Sequence, residues 1–125
     1  MNYNILAINP GSTSTKIALY KDENEIFTAT LEHPIEEIEK YDNTQDQFEM
    51  RKDAVLSFLK GKNFDIKELS AVVGRGGMLQ SVKSGAYVVN ELMLDILKNR
   101  PIMEHASNLG APIAYEIGAP RFEAC

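Results

Sequence analysis

Ile5-Leu6-Ala7-Ile8-Asn9-Pro10-Gly11-Ser12-Thr13-Ser14-Thr15-Lys16 is the stretch whose reading decides the fold. Ile5 to Ile8 is a short apolar run that predicts a buried strand, and Asn9-Pro10-Gly11-Ser12 carries strong turn chemistry. Ile17 and Leu19 then alternate with Lys16, Ala18 and Tyr20, a period of two that means strand rather than helix. Asp22-Glu23-Asn24 reads as a second turn, and Glu25 to Leu31 as a third strand. The opening is therefore an antiparallel β-meander.

The first turn concentrates groups that suit a phosphate. Gly11 can adopt positive φ and lets backbone N–H groups approach an anion without a Cβ between them. Ser12, Thr13, Ser14 and Thr15 offer hydroxyl donors, and Lys16 adds positive charge. Asn9 ends the first strand, where its amide could hold a metal-bound water or a substrate oxygen. The run is not a Walker A loop, which needs a second glycine before the lysine and a helix after it. Here Thr15 precedes Lys16 and a strand follows. A polar hairpin turn with no ligand remains the alternative, because Asn, Pro, Gly and Ser favour turns in any case.

Helical signals come next. Thr44 with Gln47 fits a capping box, Phe48, Val55, Leu56 and Leu59 fall at helical spacing, and Gly61 marks a stop. Ala71-Val72-Val73 is a further short strand, Tyr87-Val88-Val89 another candidate, and Asn90 a candidate cap for a helix carrying Met93, Leu94 and Leu97, closed before Pro101. A last helix is expected from Ser107 or Asn108 to about Ile117. Strands followed by alternating strand and helix predict an α/β fold, a mixed β-sheet with flanking helices.

Two more places carry candidate chemistry. Gly74-Arg75-Gly76-Gly77 follows a strand directly, so its backbone can approach a ligand while Arg75 presents a planar charged fork to phosphate or carboxylate oxygens. A flexible loop with a solvated arginine is the plain alternative. Glu104-His105-Ala106-Ser107-Asn108 stands just before a helix start, where His105 could donate a hydrogen bond to a transferring phosphoryl group. A surface or capping histidine is the plain alternative there, and His33 beside Pro34 has no supporting context.

Bulk properties exclude several classes. The chain has 125 residues, enough for one domain with a real core, with 44% hydrophobic and 25% charged residues and no low-complexity stretch. A mainly disordered chain is ruled out by that balance. The net charge of −5 argues against a broad nucleic-acid surface, and no apolar run reaches membrane-spanning length. The start Met1-Asn2-Tyr3-Asn4 has no basic n-region, so a cytoplasmic location is expected. The one cysteine, Cys125, excludes an internal disulfide framework, and no His/Cys spacing suits structural zinc. No hydrolase triad can be assembled.

Taken together, Ile5 to Lys16, Asp46-Gln47-Phe48-Glu49, Ala71 to Gly77 and Glu104-His105-Ala106-Ser107-Asn108-Leu109-Gly110 resemble the butyrate kinase family in family order. That family belongs to the acetate kinase group of the actin-like ATPase superfamily. The resemblance implies reversible phosphoryl transfer from ATP to butyrate or a similar short-chain carboxylate, with ATP and Mg²⁺ as cofactors. It implies two ribonuclease-H-like lobes with the ligands between them, residues 1–125 being the first lobe. Asn9 is implied in the Mg²⁺–phosphate site, and Gly11, Ser12, Ser14 and Lys16 in the first phosphate loop. Arg75, with Gly76 and Gly77, is implied to hold the acyl substrate's carboxylate or phosphoryl group, and His105 to stabilise the phosphoryl group in transit. Gly118-Ala119-Pro120-Arg121-Phe122 is similar to the family's entry to a later strand, with Cys125 where an acidic metal-site residue stands. The second lobe is expected to be absent, leaving the chain inactive by itself and able to self-associate as a homo-oligomer through uncovered apolar surface. A stand-alone phosphate- or nucleotide-binding module and a purely structural domain are the competing readings.

Overall fold

The computed structural model describes residues 3–75, 89, 91–99 and 106–118. The meander is present as β1 (Asn4–Pro10), β2 (Ser14–Lys21) and β3 (Asn24–Glu32). The next strand, β4 (Ala71–Gly74), lies parallel to β1 on its other side, so the sheet order is β3-β2-β1-β4 and the sheet is mixed. Val89 is not in a strand, and the rest of the strand expected there lies outside the described residues, as does Asn90.

Register sorts the side chains by face. Leu6 pairs with Leu19 and with Val72, Ile8 with Ile17, and Pro10 with Thr15, and these residues form the buried face. Ala7 pairs with Ala18 and Asn9 with Lys16, which places Asn9 and Lys16 together on the opposite face. That second face also carries Val73, half exposed. Between Leu19 and Tyr20 the register slips, Leu19 opposing Phe27 and Tyr20 opposing Glu25, so Ile26 is the extra residue of a bulge.

β1 runs two residues further than the apolar run predicts, which moves Asn9 and Pro10 from the turn into the strand. Pro10 is tolerated because β4 stops opposite Ile8, leaving no ladder bond there for the missing N–H to make. The connection is thus Gly11-Ser12-Thr13, closed by a 2.7 Å bond from the Gly11 N–H to the Ser14 carbonyl.

The helices are α1 (Ile35–Ile38), α2 (Phe48–Gly61), α3 (Glu91–Asn99) and α4 (Gly110–Gly118), with short 3-10 turns at Thr44–Gln47, Ile66–Glu68 and Ala106–Leu109. α2 and α4 cover the buried face: Val55 and Leu59 from the first, and Ile113, Ala114 and Ile117 from the second, join the strand residues in one core. Each such Leu, Ile or Val contributes about 1.5–3 kcal/mol by leaving water.

Both helix-end signals expected for α2 are replaced by neighbours. The Asn43 side chain, not Thr44, caps the entry by accepting from the Asp46 N–H, and Gln47 turns toward Arg51 instead of back to a cap. At the other end Gly61 is helical, and Asn63 takes the left-handed conformation at φ 59°. Phe64 N–H then bonds to the Leu59 carbonyl and Asn63 N–H to the Lys60 carbonyl, a Schellman closure.

Candidate functional site

The carboxyl ends of the parallel strands β1 and β4 lie side by side, with Asn9 on one and Arg75 just past the other. The Arg75 N–H bonds to the Ile8 carbonyl at 2.9 Å, which sets Arg75 beside Asn9 at the sheet edge. Arg75 is exposed. Gly74 and Gly110 bring the start of α4 onto the same edge: a Cβ on Gly74 would run into the Gly110 carbonyl, and one on Gly110 into the Arg75 carbonyl. The end of β4 at Gly74 and Arg75 therefore lies beside the end of β1, with the N-terminus of α4 against it. Gly76, Gly77, His105 and Cys125 lie outside the described residues.

Within the turn, the groups divide. Ser12 and Thr13 are exposed, Ser14 half-buried, and Lys16 exposed on the same sheet face as Asn9. Gly11 does not use the left-handed backbone expected of it, and a Cβ there would make only ordinary contacts of 3.5 Å with Ser14. Its contribution is the tight Gly11–Ser14 closure. Thr15, expected among the hydroxyl donors, is fully buried on the core face.

Thr15 instead belongs to a buried network absent from the sequence reading. Arg51, in the first turn of α2, is 0% exposed. Its Nη2 donates to the Ser12 carbonyl and its Nη1 to the Ser14 carbonyl, both at 3.0 Å; Nη1 also reaches Thr15 Oγ1 at 3.3 Å, and Nε donates to Gln47 Oε1 at 3.0 Å. The guanidinium thus grips the turn from behind. Burial lowers its pKa, but a guanidinium stays charged at neutral pH. All four partners are neutral, and among the described residues no carboxylate forms an ion pair with it.

His33, assigned no part by the sequence, closes the network. It is 5% exposed, and its Nε2 lies 2.8 Å from Thr15 Oγ1. Arg51 can only donate, so Thr15 accepts from it and keeps its own proton for Nε2 of a neutral His33. Burial first, and then the Arg51 charge, hold the imidazole below its usual 6.5, against the opposing pull of Glu32 and Glu37. In the unfolded chain His33 regains the ordinary value and binds a proton more readily than in the native state. Stability contributed by neutral His33 is therefore present above about pH 6.5 and is lost as the pH falls through the lower folded value. The urea midpoint is expected to drop between pH 7.5 and 5.5 in the wild type and to drop less in His33→Gln. Equal drops would show that His33 does not drive the change.

A mixed sheet that carries a Gly-Ser-Thr turn between its first two strands, with helices on its buried face, is an α/β architecture consistent with the actin-like ATPase fold. Comparison with known proteins adds a likeness in sequence. The chain is 56% identical over 118 residues to a probable butyrate kinase of Clostridium botulinum, covering 94% of this chain and 33% of that protein. It is 56% identical over 115 residues to butyrate kinase 1 of Clostridium acetobutylicum, covering 92% and 32%, and 44% identical over 123 residues to probable butyrate kinase 1 of Thermotoga maritima, covering 98% and 34%. By sequence the chain is similar to butyrate kinases over almost its whole length, and it spans about a third of the length of the curated relatives it matches. No family model matches it. Among the described residues, no helix is long and apolar enough to cross a membrane, and no group of three His, Cys, Asp or Glu could hold a metal ion.

Proposed function

We propose that these residues form the first lobe of a cytoplasmic enzyme that transfers a phosphoryl group from ATP to butyrate or a similar short-chain carboxylate, giving the acyl phosphate and ADP. The observation that carries this reading is the position of Arg75 next to Asn9 at the carboxyl ends of β1 and β4, in a chain similar to butyrate kinases over almost all its length. Phosphoryl transfer asks a protein chiefly for alignment and charge neutralisation. Lys16 and the exposed hydroxyls and N–H groups of Ser12 and Thr13 would hold phosphate oxygens. Arg75, with Gly76 and Gly77 beside it, would hold the acyl carboxylate or the phosphoryl group in a bidentate grip. His105 would donate to the phosphoryl group in transit.

The described residues around Asn9 fit a magnesium ion in one way only. Asn9 offers a neutral amide oxygen, half-buried beside Lys16, and no acidic cluster stands there among the described residues. Such a site suits an ion held mainly by phosphate oxygens and water, with Asn9 touching a bound water. When bound, the ion offsets phosphate charge.

The test is a hydroxamate assay with butyrate, ATP and Mg²⁺. The 125 residues alone are expected to give no acyl phosphate, and a longer chain containing them to give it readily. In that longer chain Arg75→Ala is expected to lower kcat/KM by about a hundredfold or more. Nucleotide binding without turnover by the longer chain would favour a binding module, and unchanged turnover in Arg75→Ala would remove Arg75 from the site.

A further inference from the structure

Arg51 does more than fill space under the turn. It is fully buried, its four hydrogen-bond partners are uncharged, and no carboxylate among the described residues balances it. A buried cation without a counterion is costly, and proteins ordinarily pair it. The orientation of the turn supplies a reason for this exception. In a trans peptide the N–H points opposite to the C=O. Because Arg51 holds the Ser12 carbonyl inward, the N–H of the same peptide, on Thr13, is turned away from the core. Neither the Ser12 nor the Thr13 N–H donates to another group among the described residues, and both residues are exposed. The turn is therefore a thin polar sheet with a permanent positive charge behind it and free donors in front.

We propose that Arg51 is the positioning residue of the phosphate loop and the electrostatic backing of its anion site: it fixes the Thr13 N–H outward, and its unbalanced charge is completed by the polyphosphate bound on the other side. The ligand class is a di- or triphosphate chain, with inorganic pyrophosphate as its minimal form. Arg51 touches no reacting atom; it acts through the Ser12 and Ser14 carbonyls. This inference rests on reading the turn as a phosphate site, and it requires neither a carboxylate acceptor nor turnover.

The experiment is titration of the ¹⁵N-labelled chain with inorganic pyrophosphate, following the Ser12 and Thr13 amide signals. The wild type is expected to show saturable shifts at those amides. Arg51→Gln is expected to weaken binding by about tenfold or more, since a unit charge within roughly 8 Å at an effective dielectric of about 20 carries that much. Arg51→Lys, which keeps the charge and loses the fork, is expected to retain part of the affinity. The signals of Leu6, Ile8 and Val72 report whether each variant keeps the sheet. A folded Arg51→Gln chain with wild-type affinity overturns the proposal, as does a wild type whose Ser12 and Thr13 amides do not respond. A measurement on the wild type alone covers the case in which the variants fail to fold. Saturating pyrophosphate, by offsetting the Arg51 charge, is expected to raise the titration midpoint of the His33 imidazole, and an unmoved midpoint overturns the proposal. Loss of turnover in the longer chain with pyrophosphate binding intact would count against the kinase reading and leave Arg51's place standing.

Discussion

Gly110→Ala and Gly74→Ala are each expected to lower the unfolding free energy by about 3 kcal/mol or more, at the upper end of what overpacking costs. The new methyl would meet backbone rather than a side chain able to swing aside: the Gly110 carbonyl in one case, the Arg75 carbonyl in the other. The only relief is to move α4 away from β4. That movement withdraws Ile113, Ala114 and Ile117 from the core they share with Leu6, Ile8 and Val72. Because both contacts belong to one close approach, the double variant should cost less than the sum of the two singles. Gly61→Ala is the control. Nothing lies within 4 Å of a Cβ there, and the position is helical, so alanine should stabilise by about 0.5–1 kcal/mol. Urea unfolding of the four variants checks the set. A Gly110→Ala midpoint equal to the wild type would mean that the strand–helix approach is looser than the backbone geometry requires.

The second large effect is expected at Arg51. Arg51→Met keeps the apolar stem yet leaves Gln47 Oε1 and the Ser12 and Ser14 carbonyls without their donor. Each stranded acceptor costs about 1–3 kcal/mol when buried and less where water can reach it. Ser12 is exposed and can be rehydrated, whereas Gln47 is buried. A loss of about 3 kcal/mol follows, larger than for Lys60→Met on the exposed side of the same helix, where about 0.5 kcal/mol or less is expected. Chemical denaturation of both variants decides it. A loss at Arg51 no larger than that at Lys60 would show that the turn holds its shape without the guanidinium.

These effects show how the two halves of the candidate site differ in legibility. The strands were open to reading because a half-buried sheet writes its pattern with a period of two, and Ile17 and Leu19 alternate accordingly. Extending that alternation back to Thr15 places it on the core face with Ile17, a signal that the hydroxyl's chemistry overrode. Arg51 left a trace as well. The apolar stripe of α2 runs through Phe48, Val55 and Leu59, and its remaining turn falls at Arg51. A cation on the apolar side of a helix reads as a surface residue until something polar is found beneath it. Here that something is the backbone of a turn nearly forty residues earlier in the chain. His33 stayed silent for the same reason, since its partner Thr15 lies across the sheet.

The sequence alone determined the three opening strands, α2, β4 and the last two helices, and the chemical character of the turn that opens the chain. Both are local properties: side-chain alternation, turn residues, and a run of small hydroxyls ending in lysine. The tertiary structure decided which groups in the turn face outward and which face inward. It placed Asn9 and Lys16 on one face and Thr15 on the other, and put an uncompensated positive charge behind the turn. That division depends on strand register and on α2 packing against β2, contacts between segments far apart in the chain. Such contacts are set by mutual burial, which no single segment encodes.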